Sequence, residues 1–204
     1  MLINNLNIKN FTKKKIKTSK KNKISQLLKS LLSEKKQIIL SLSEDYKDSY
    51  TKKLLKKIKK YKFINLIGMG GSILGARAIS SFTRSKLKIN FIDEYHHLSK
   101  KSNLDKNLNL IVSKSGNTLE TIANSNNLSK KSKNILITEN KNNYLLKFAE
   151  SLKAEVIHHN NFIGGRYSVL SEVGMLPAEL MKLSPKKLRR LNNLASNQKF
   201  LNLV

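Results

Sequence analysis

Three short stretches of the chain carry the residue types that hold anions. Gly70-Gly71-Ser72 follows the apolar run 63–67 and opens a helical pattern. Backbone N–H groups without side chains in the way, at the positive end of a helix, make an anion seat. The Ser72 hydroxyl there can either cap the helix or donate to a ligand. Ser113-Lys114-Ser115-Gly116-Asn117-Thr118 follows a second apolar run, 108–112, and places three hydroxyls and an ammonium around one turn. Several charge-assisted donors acting together suit a phosphate dianion. Gly164-Gly165-Arg166 adds a guanidinium, whose planar fork matches an oxyanion better than a point charge does. Two histidine pairs, His96-His97 and His158-His159, are set aside as metal or acid–base groups. Adjacent histidines do not point at one site, and neither pair has a carboxylate at a ligand-like spacing.

These turns must be positioned by regular elements, and the hydrophobic pattern supplies them. Runs rich in β-branched residues at 63–67, 87–92, 108–112, 135–138 and 155–157 predict five short strands, separated by stretches long enough for crossover helices. Strands alternating with helices predict right-handed βαβ units and a parallel sheet covered on both faces. Ligands of such sheets bind at the carboxyl ends of the strands, beside a switch in strand order, and the first two anion-binding turns lie on that edge. Two other glycine motifs fail on spacing. A dinucleotide fingerprint from Gly68 would need glycine where Ile73 stands, although Asp93 lies where a ribose-binding acid would sit. A phosphate-binding P-loop from Gly70 reaches Gly75 but then meets Ala76-Arg77 instead of Lys-Ser/Thr.

Before the first strand, Ile24, Leu27, Leu28, Leu31 and Leu32 recur as one helical face, and Leu54, Leu55, Ile58 and Tyr61 as another; both helices are expected to pack on the main domain. After Arg166, Leu170, Val173, Leu176, Leu180 and Leu183 form a further helical face, which Pro177 is expected to kink or divide. Ser184-Pro185 opens a last helix with Leu188, Leu191 and Leu194. Glu172 reads as a surface residue of the preceding helix and is not nominated as a base.

Length and composition narrow the function classes. The chain has 204 residues, enough for one domain with flanking segments, and no cysteine, which excludes disulfides and thiolate metal sites and is compatible with a cytoplasmic setting. No apolar run approaches the roughly 18 residues of a membrane span. Forty Lys and Arg against 13 Asp and Glu give a net charge of +27. Residues 1–33 contain no acid, but no arginine precedes Arg77, so the basic start, with Lys13-Lys14-Lys15 and Lys20-Lys21, reads as a solvated leader rather than a transit peptide. Lysine, asparagine and isoleucine are abundant along the whole chain, which points to a general compositional bias. With the lysines not interleaved with stacking aromatics, no dedicated nucleic-acid face is expected.

Three motifs, in the same order as in the family, resemble phosphoglucose isomerases: Gly68-Met69-Gly70-Gly71-Ser72-Ile73-Leu74-Gly75, Ser113-Lys114-Ser115-Gly116-Asn117-Thr118-Leu119-Glu120-Thr121, and the stretch from Asn161 through Gly164-Gly165-Arg166-Tyr167-Ser168 to Gly174. The first two are general to sugar-isomerase (SIS) domains, and the third is specific to the phosphoglucose and phosphomannose isomerases. The resemblance covers about residues 63–181 and implies a flavodoxin-like three-layer α/β sandwich with a five-stranded parallel sheet. By it, the chain divides into a basic helical segment (1–60), a sugar-phosphate-binding SIS domain (61–183) and a helix and tail (184–204) leading toward a second SIS domain.

The resemblance further implies that Gly71, Ser72, Ser113, Lys114, Ser115 and Thr118 bind the substrate phosphate, that Arg166 is catalytic and stabilises a cis-enediolate, and that Glu120 lies near the sugar. The implied reaction interconverts glucose 6-phosphate and fructose 6-phosphate, with no cofactor and no metal, in a cytoplasmic homodimer. In the family the base glutamate and the ring-opening histidine and lysine come later in the chain, and no matching motif precedes Val204. The sequence is therefore expected to be the N-terminal portion of such an isomerase or of a glucose/mannose relative. A non-catalytic SIS sensor of sugar phosphates and a basic nucleic-acid-binding protein stay open beside it.

Overall fold

A computed structural model of the chain describes residues 18–94, 107–126, 128 and 132–190. Five parallel strands form one sheet: β1 (Phe63–Gly68), β2 (Lys88–Ile92), β3 (Leu108–Val112), β4 (Lys133–Glu139) and β5 (Glu155–His159). Their order across the sheet is β2-β1-β3-β4-β5. The chain moves outward from β1 to β2, then returns over β1 to β3, so the switch in direction falls between β1 and β3. There Gly68 pairs with Val112, and the loops after both strands open at the same edge. The predicted parallel α/β sheet is thus observed.

Strand alternation divides the apolar residues between two layers. Ile64 and Leu66 of β1, Leu108 and Leu110 of β3 and Ile135 and Ile137 of β4 face one side, where helix α3 (Lys52–Ile58), helix α4 (Gly71–Thr83) and helix α7 (Glu172–Leu180) cover them. Ile67, Ile111 and Leu136 face the other side, under α5 (Leu119–Ser125) and α6 (Tyr144–Leu152). This second face also carries an unforeseen polar ladder, buried at Asn65, Asn109 and Asn134. Asn90 donates to Asn65 at 3.3 Å, Asn65 to Asn109 at 2.8 Å and Asn109 to Asn134 at 2.8 Å, across four adjacent strands in register. Asn65 and Asn109 each donate to one neighbour and accept from the other, which is how side-chain amides can sit in a core without leaving polar groups bare.

Of the two early helices, α3 packs as expected and α1 does not. Leu54, Leu55 and Ile58 of α3 are buried in the core, with Thr51 accepting from Leu54 N at the N-cap. In contrast, α1 (Thr18–Ser33) leaves Ile24, Leu27 and Leu31 53%, 61% and 46% exposed, with Leu28 and Leu32 half-buried. Helix α3 leads through a short loop directly into β1. A short helix, α2 (Gln37–Leu40), lies between α1 and α3.

At the other end α7 runs from Glu172 to Leu180 without division, with Pro177 inside it and buried. The missing proline N–H removes one helical hydrogen bond, and the apolar packing around it holds the element together. Helix α8 (Pro185–Arg189) starts as predicted, with Ser184 accepting from Lys187 N and proline in the first turn. Its Arg189 is 2% exposed and ties the early segment to the late one, bonding Asp48 at 2.7 Å and the Leu170 carbonyl at 2.7 and 3.0 Å. Residues 1–17, with Lys13-Lys14-Lys15, the pair His96-His97, and Leu191 and Leu194 of the last helical pattern lie outside the described residues.

Candidate functional site

The first loop reaches α4 through Gly70, whose φ of 54° lies in the left-handed region that glycine tolerates. No side chain caps this helix. Ser72 stands inside its first turn, so the capping role open to it in the sequence is not the one it takes. The 13-residue helix therefore presents an uncapped N-terminus beside the switch point.

The second loop is a closed turn. Ser113, 2% exposed, shares its hydroxyl with Thr118 Oγ1 at 2.9 Å and accepts the Gly116 N–H at 3.2 Å, while Ser115 Oγ accepts the Asn117 N–H at 3.3 Å. Thr118 begins α5 but uses its hydroxyl on Ser113 rather than as a cap. Behind the turn, Asn143 donates to Thr138 and to two backbone carbonyls and caps α6, and Asn117 accepts from Tyr144 N at 3.0 Å. Glu120 lies in the first turn of α5, half-buried.

The third loop, after β5, leads through Gly164 into a 3₁₀ turn over Gly165–Leu170. It meets both others. A Cβ on Gly71 would lie 2.1 Å from the Gly165 carbonyl oxygen and 3.0 Å from Arg166 N, so the first and third loops touch backbone to backbone. Ser168 Oγ also donates to the Gly71 carbonyl at 3.3 Å. From the second loop, Lys114 Nζ donates to the Asn161 carbonyl at 2.7 Å. The structure thus brings Gly71, Ser72, Lys114 and Arg166 to one edge of the sheet. Arg166 is exposed and makes no hydrogen bond or ion pair with the described residues. Leu119, Phe162 and Tyr167, 75%, 80% and 58% exposed, stand around the same loops.

One sequence reading is corrected here. Glu172 is not a surface residue: it is fully buried at the start of α7 and bonds the ring of His159, also buried. The spacing of 13 residues across a loop gave no signal for this pairing. The two histidines of β5 do diverge, His158 exposed and His159 buried, as adjacent strand residues must. Asp93 pairs with Arg77 at 2.7 Å. Among the described residues no group of three or more His, Asp or Glu could hold a metal ion, and no helix is long and apolar enough to cross a membrane.

Among the described residues, part of the positive charge gathers away from these loops. At the opposite edge of the sheet a cleft of about 790 Å³ has cations at half of its fourteen lining positions, among them Lys62, Arg84 and Lys182. Here cations and aromatics do alternate, with Lys60 over Tyr61 and Lys88 over Phe63. The cleft collects the carboxyl ends of α4 and α7, whose negative dipoles these cations offset.

Five parallel strands in this order, with a glycine turn and a hydroxyl-rich turn flanking the switch point, define a doubly wound α/β domain of flavodoxin-like strand order. The chain belongs to the phosphoglucose isomerase family, whose family model matches residues 3–191. It is 38% identical over 138 residues to a glucose-6-phosphate isomerase of Borrelia garinii, covering 57% of this chain and 26% of that protein. It is 32% identical over 164 residues to a glucose-6-phosphate isomerase of Methanocaldococcus jannaschii, covering 72% and 40%. The chain thus spans about a quarter to two-fifths of the curated relatives it matches. A solved hypothetical protein of Thermus thermophilus shares the fold at a TM-score of 0.65 and 24% identity, over 91% of this chain and half of that one. A tagatose-6-phosphate ketose/aldose isomerase of Escherichia coli does so at 0.51 and 14%, over 70% and 44%.

Proposed function

We propose that this chain is the phosphate-binding portion of an aldose–ketose isomerase that interconverts glucose 6-phosphate and fructose 6-phosphate. The observation that carries the reading is the meeting of the three loops, Gly71 against Gly165 and Lys114 on Asn161, at the carboxyl edge of a switch-point sheet.

In this reading the phosphate lies at the amino end of α4. Ser72, Ser115, Thr118 and the remaining donors of Lys114 reach its oxygens, Gly71 contributes backbone, and Ser113 holds Thr118 in place. Glu120 lies toward the sugar. Arg166, with its guanidinium unpaired, faces the carbon end, where a proton leaves C2, an enediolate forms, and a proton returns to C1. A planar cation beside that oxygen lowers the barrier by stabilising charge that exists only in the transition state and intermediate. The base and the ring-opening groups are supplied from outside these 204 residues, within a homodimer. The three segments 1–60, 61–183 and 184–204 are the corresponding units of chain.

Isothermal titration of the purified chain with fructose 6-phosphate, fructose and inorganic phosphate tests the binding. The phosphorylated sugar should bind, and the free sugar should not; equal affinity for fructose and its phosphate would reject the site. A coupled isomerase assay on the same chain separates a catalytic unit from a sensor that binds without turnover. Titration of unrelated DNA at rising salt tests the basic alternative, where a steep salt dependence would mark phosphate-backbone contacts.

A further inference from the structure

We propose that His159 and Glu172 are a buried latch that fixes the loop between β5 and the 3₁₀ turn and so sets the position of Arg166 against the phosphate seat. They are positioning residues, and the proposal rests on the sugar-phosphate reading above.

The latch grips its loop at two points. His159 Nε2 meets the Ile163 carbonyl at 3.0 Å, and since a carbonyl only accepts, Nε2 carries the proton and donates. The other ring nitrogen, Nδ1, faces Glu172 Oε1, and the same oxygen accepts the Asn160 N–H at 3.1 Å. One pair of side chains therefore holds both the first residue of the loop and its buried turn, where Ile163 is fully enclosed and its N–H bonds the Asn160 carbonyl at 3.1 Å.

The pair lies where charge is stabilised but costly. Glu172 opens the nine-residue α7, whose positive end favours a carboxylate, while its side chain and that of His159 are 0% and 1% exposed. Glu172 Oε2 is buried without a hydrogen bond to the described residues. Apolar residues of similar volume often fill such a site without loss of stability, so the role assigned to this pair is the geometry it dictates. That geometry passes to Arg166. The latched loop is pressed on Gly71 from one side and held by Lys114 on Asn161 from another, and the guanidinium follows within three residues of Ile163.

Glu172→Gln tests this at constant volume. The two partners meet one oxygen, and an amide turned with its NH2 toward them can no longer accept the Asn160 N–H, whereas either oxygen of a carboxylate can. The expected result is a cooperative melt, amide exchange at residues 160–167 raised about tenfold, and fructose 6-phosphate affinity lowered about tenfold while inorganic phosphate affinity stays within about twofold. In an Arg166→Ala background the same change should cause no further loss, because the latch acts through Arg166. Parallel loss of both ligands, additivity with Arg166→Ala, or unchanged exchange would overturn the proposal. His159→Gln gives an independent second test with the same expected pattern. If neither variant melts cooperatively, the pair serves folding as a whole and the latch is wrong. A parent chain that binds neither ligand would instead remove the functional reading and the positioning role with it.

Discussion

Lys114 Nζ donates to the Asn161 carbonyl at 2.7 Å, joining two loops 47 residues apart in the chain. An ammonium has three donors, so the lysine can brace the third loop and still offer charge to a ligand between the loops. This single bond ties the second loop to the third at the carboxyl edge of the sheet.

Lys114→Ala should weaken binding of fructose 6-phosphate by about 1.5–3 kcal/mol through loss of a charged contact. Calorimetric titration measures it, and an unchanged affinity would detach Lys114 from the phosphate. Because the Asn161 carbonyl loses its donor as well, exchange at Asn161 and Phe162 should also rise.

Arg166→Ala should leave the melting temperature almost unchanged, a cost within about 0.5 kcal/mol, since the guanidinium is exposed and bonded to no described residue. The loss should appear in affinity for the sugar phosphate and not for inorganic phosphate. In a complete enzyme Arg166→Lys should lower kcat more than it raises KM, because a point charge does not replace the fork.

Gly71→Ala places a Cβ 2.1 Å from the Gly165 oxygen, a backbone atom that cannot swing away. The loops must part. Overpacking of this kind costs about 1–3 kcal/mol, and phosphate binding should fall together with stability; a variant that melts and binds like the parent would refute the loop contact.

Asn109→Ala removes the acceptor of the Asn65 amide and the donor to Asn134 at the centre of the sheet. The cost is about 2–4 kcal/mol, read as a fall of about 2–4 °C in Tm per kcal/mol for a chain of this size. Ligand affinity should not change, because the ladder lies away from the loop edge.

At high pH two tyrosines govern stability. Burial, and then the charge of Glu172, pushes Tyr46 up to about 12, and burial with the charges of Asp48 and Glu179 raises Tyr50 as well. A raised folded-state value means that the contribution is complete below the unfolded value of 10.0 and is lost as pH climbs through the folded one. The melting temperature should therefore fall between about pH 10 and 12, and the fall should be shallower in Tyr46→Phe. Absorbance at 295 nm, followed in both proteins, assigns the late-ionising phenol.

Much of the architecture was legible in the chain. Isoleucine-rich runs with glycine- or serine-bearing turns behind them are a local pattern, and alternation of strand and helix leaves few ways to bury them. All five strands, and the placement of the turns Gly70–Ser72 and Ser113–Thr118 behind β1 and β3, followed from that. The packing of α1 did not, because a periodic apolar face shows that a helix can bury itself but not what it meets. Glu172 was misread for a related reason: a carboxylate in a polar-looking stretch is usually solvated, and only a partner from elsewhere in the chain reverses that.

Sequence alone therefore determined the residue types at each turn and the period of each element, since both depend on neighbours a few positions away. Tertiary structure decided which turns meet, that Gly71 lies against Gly165, that His159 finds Glu172, and that scattered asparagines become a ladder. Those facts depend on strand order and register, which bring distant residues together at the scale of a hydrogen bond, and no local pattern encodes a distance of that kind.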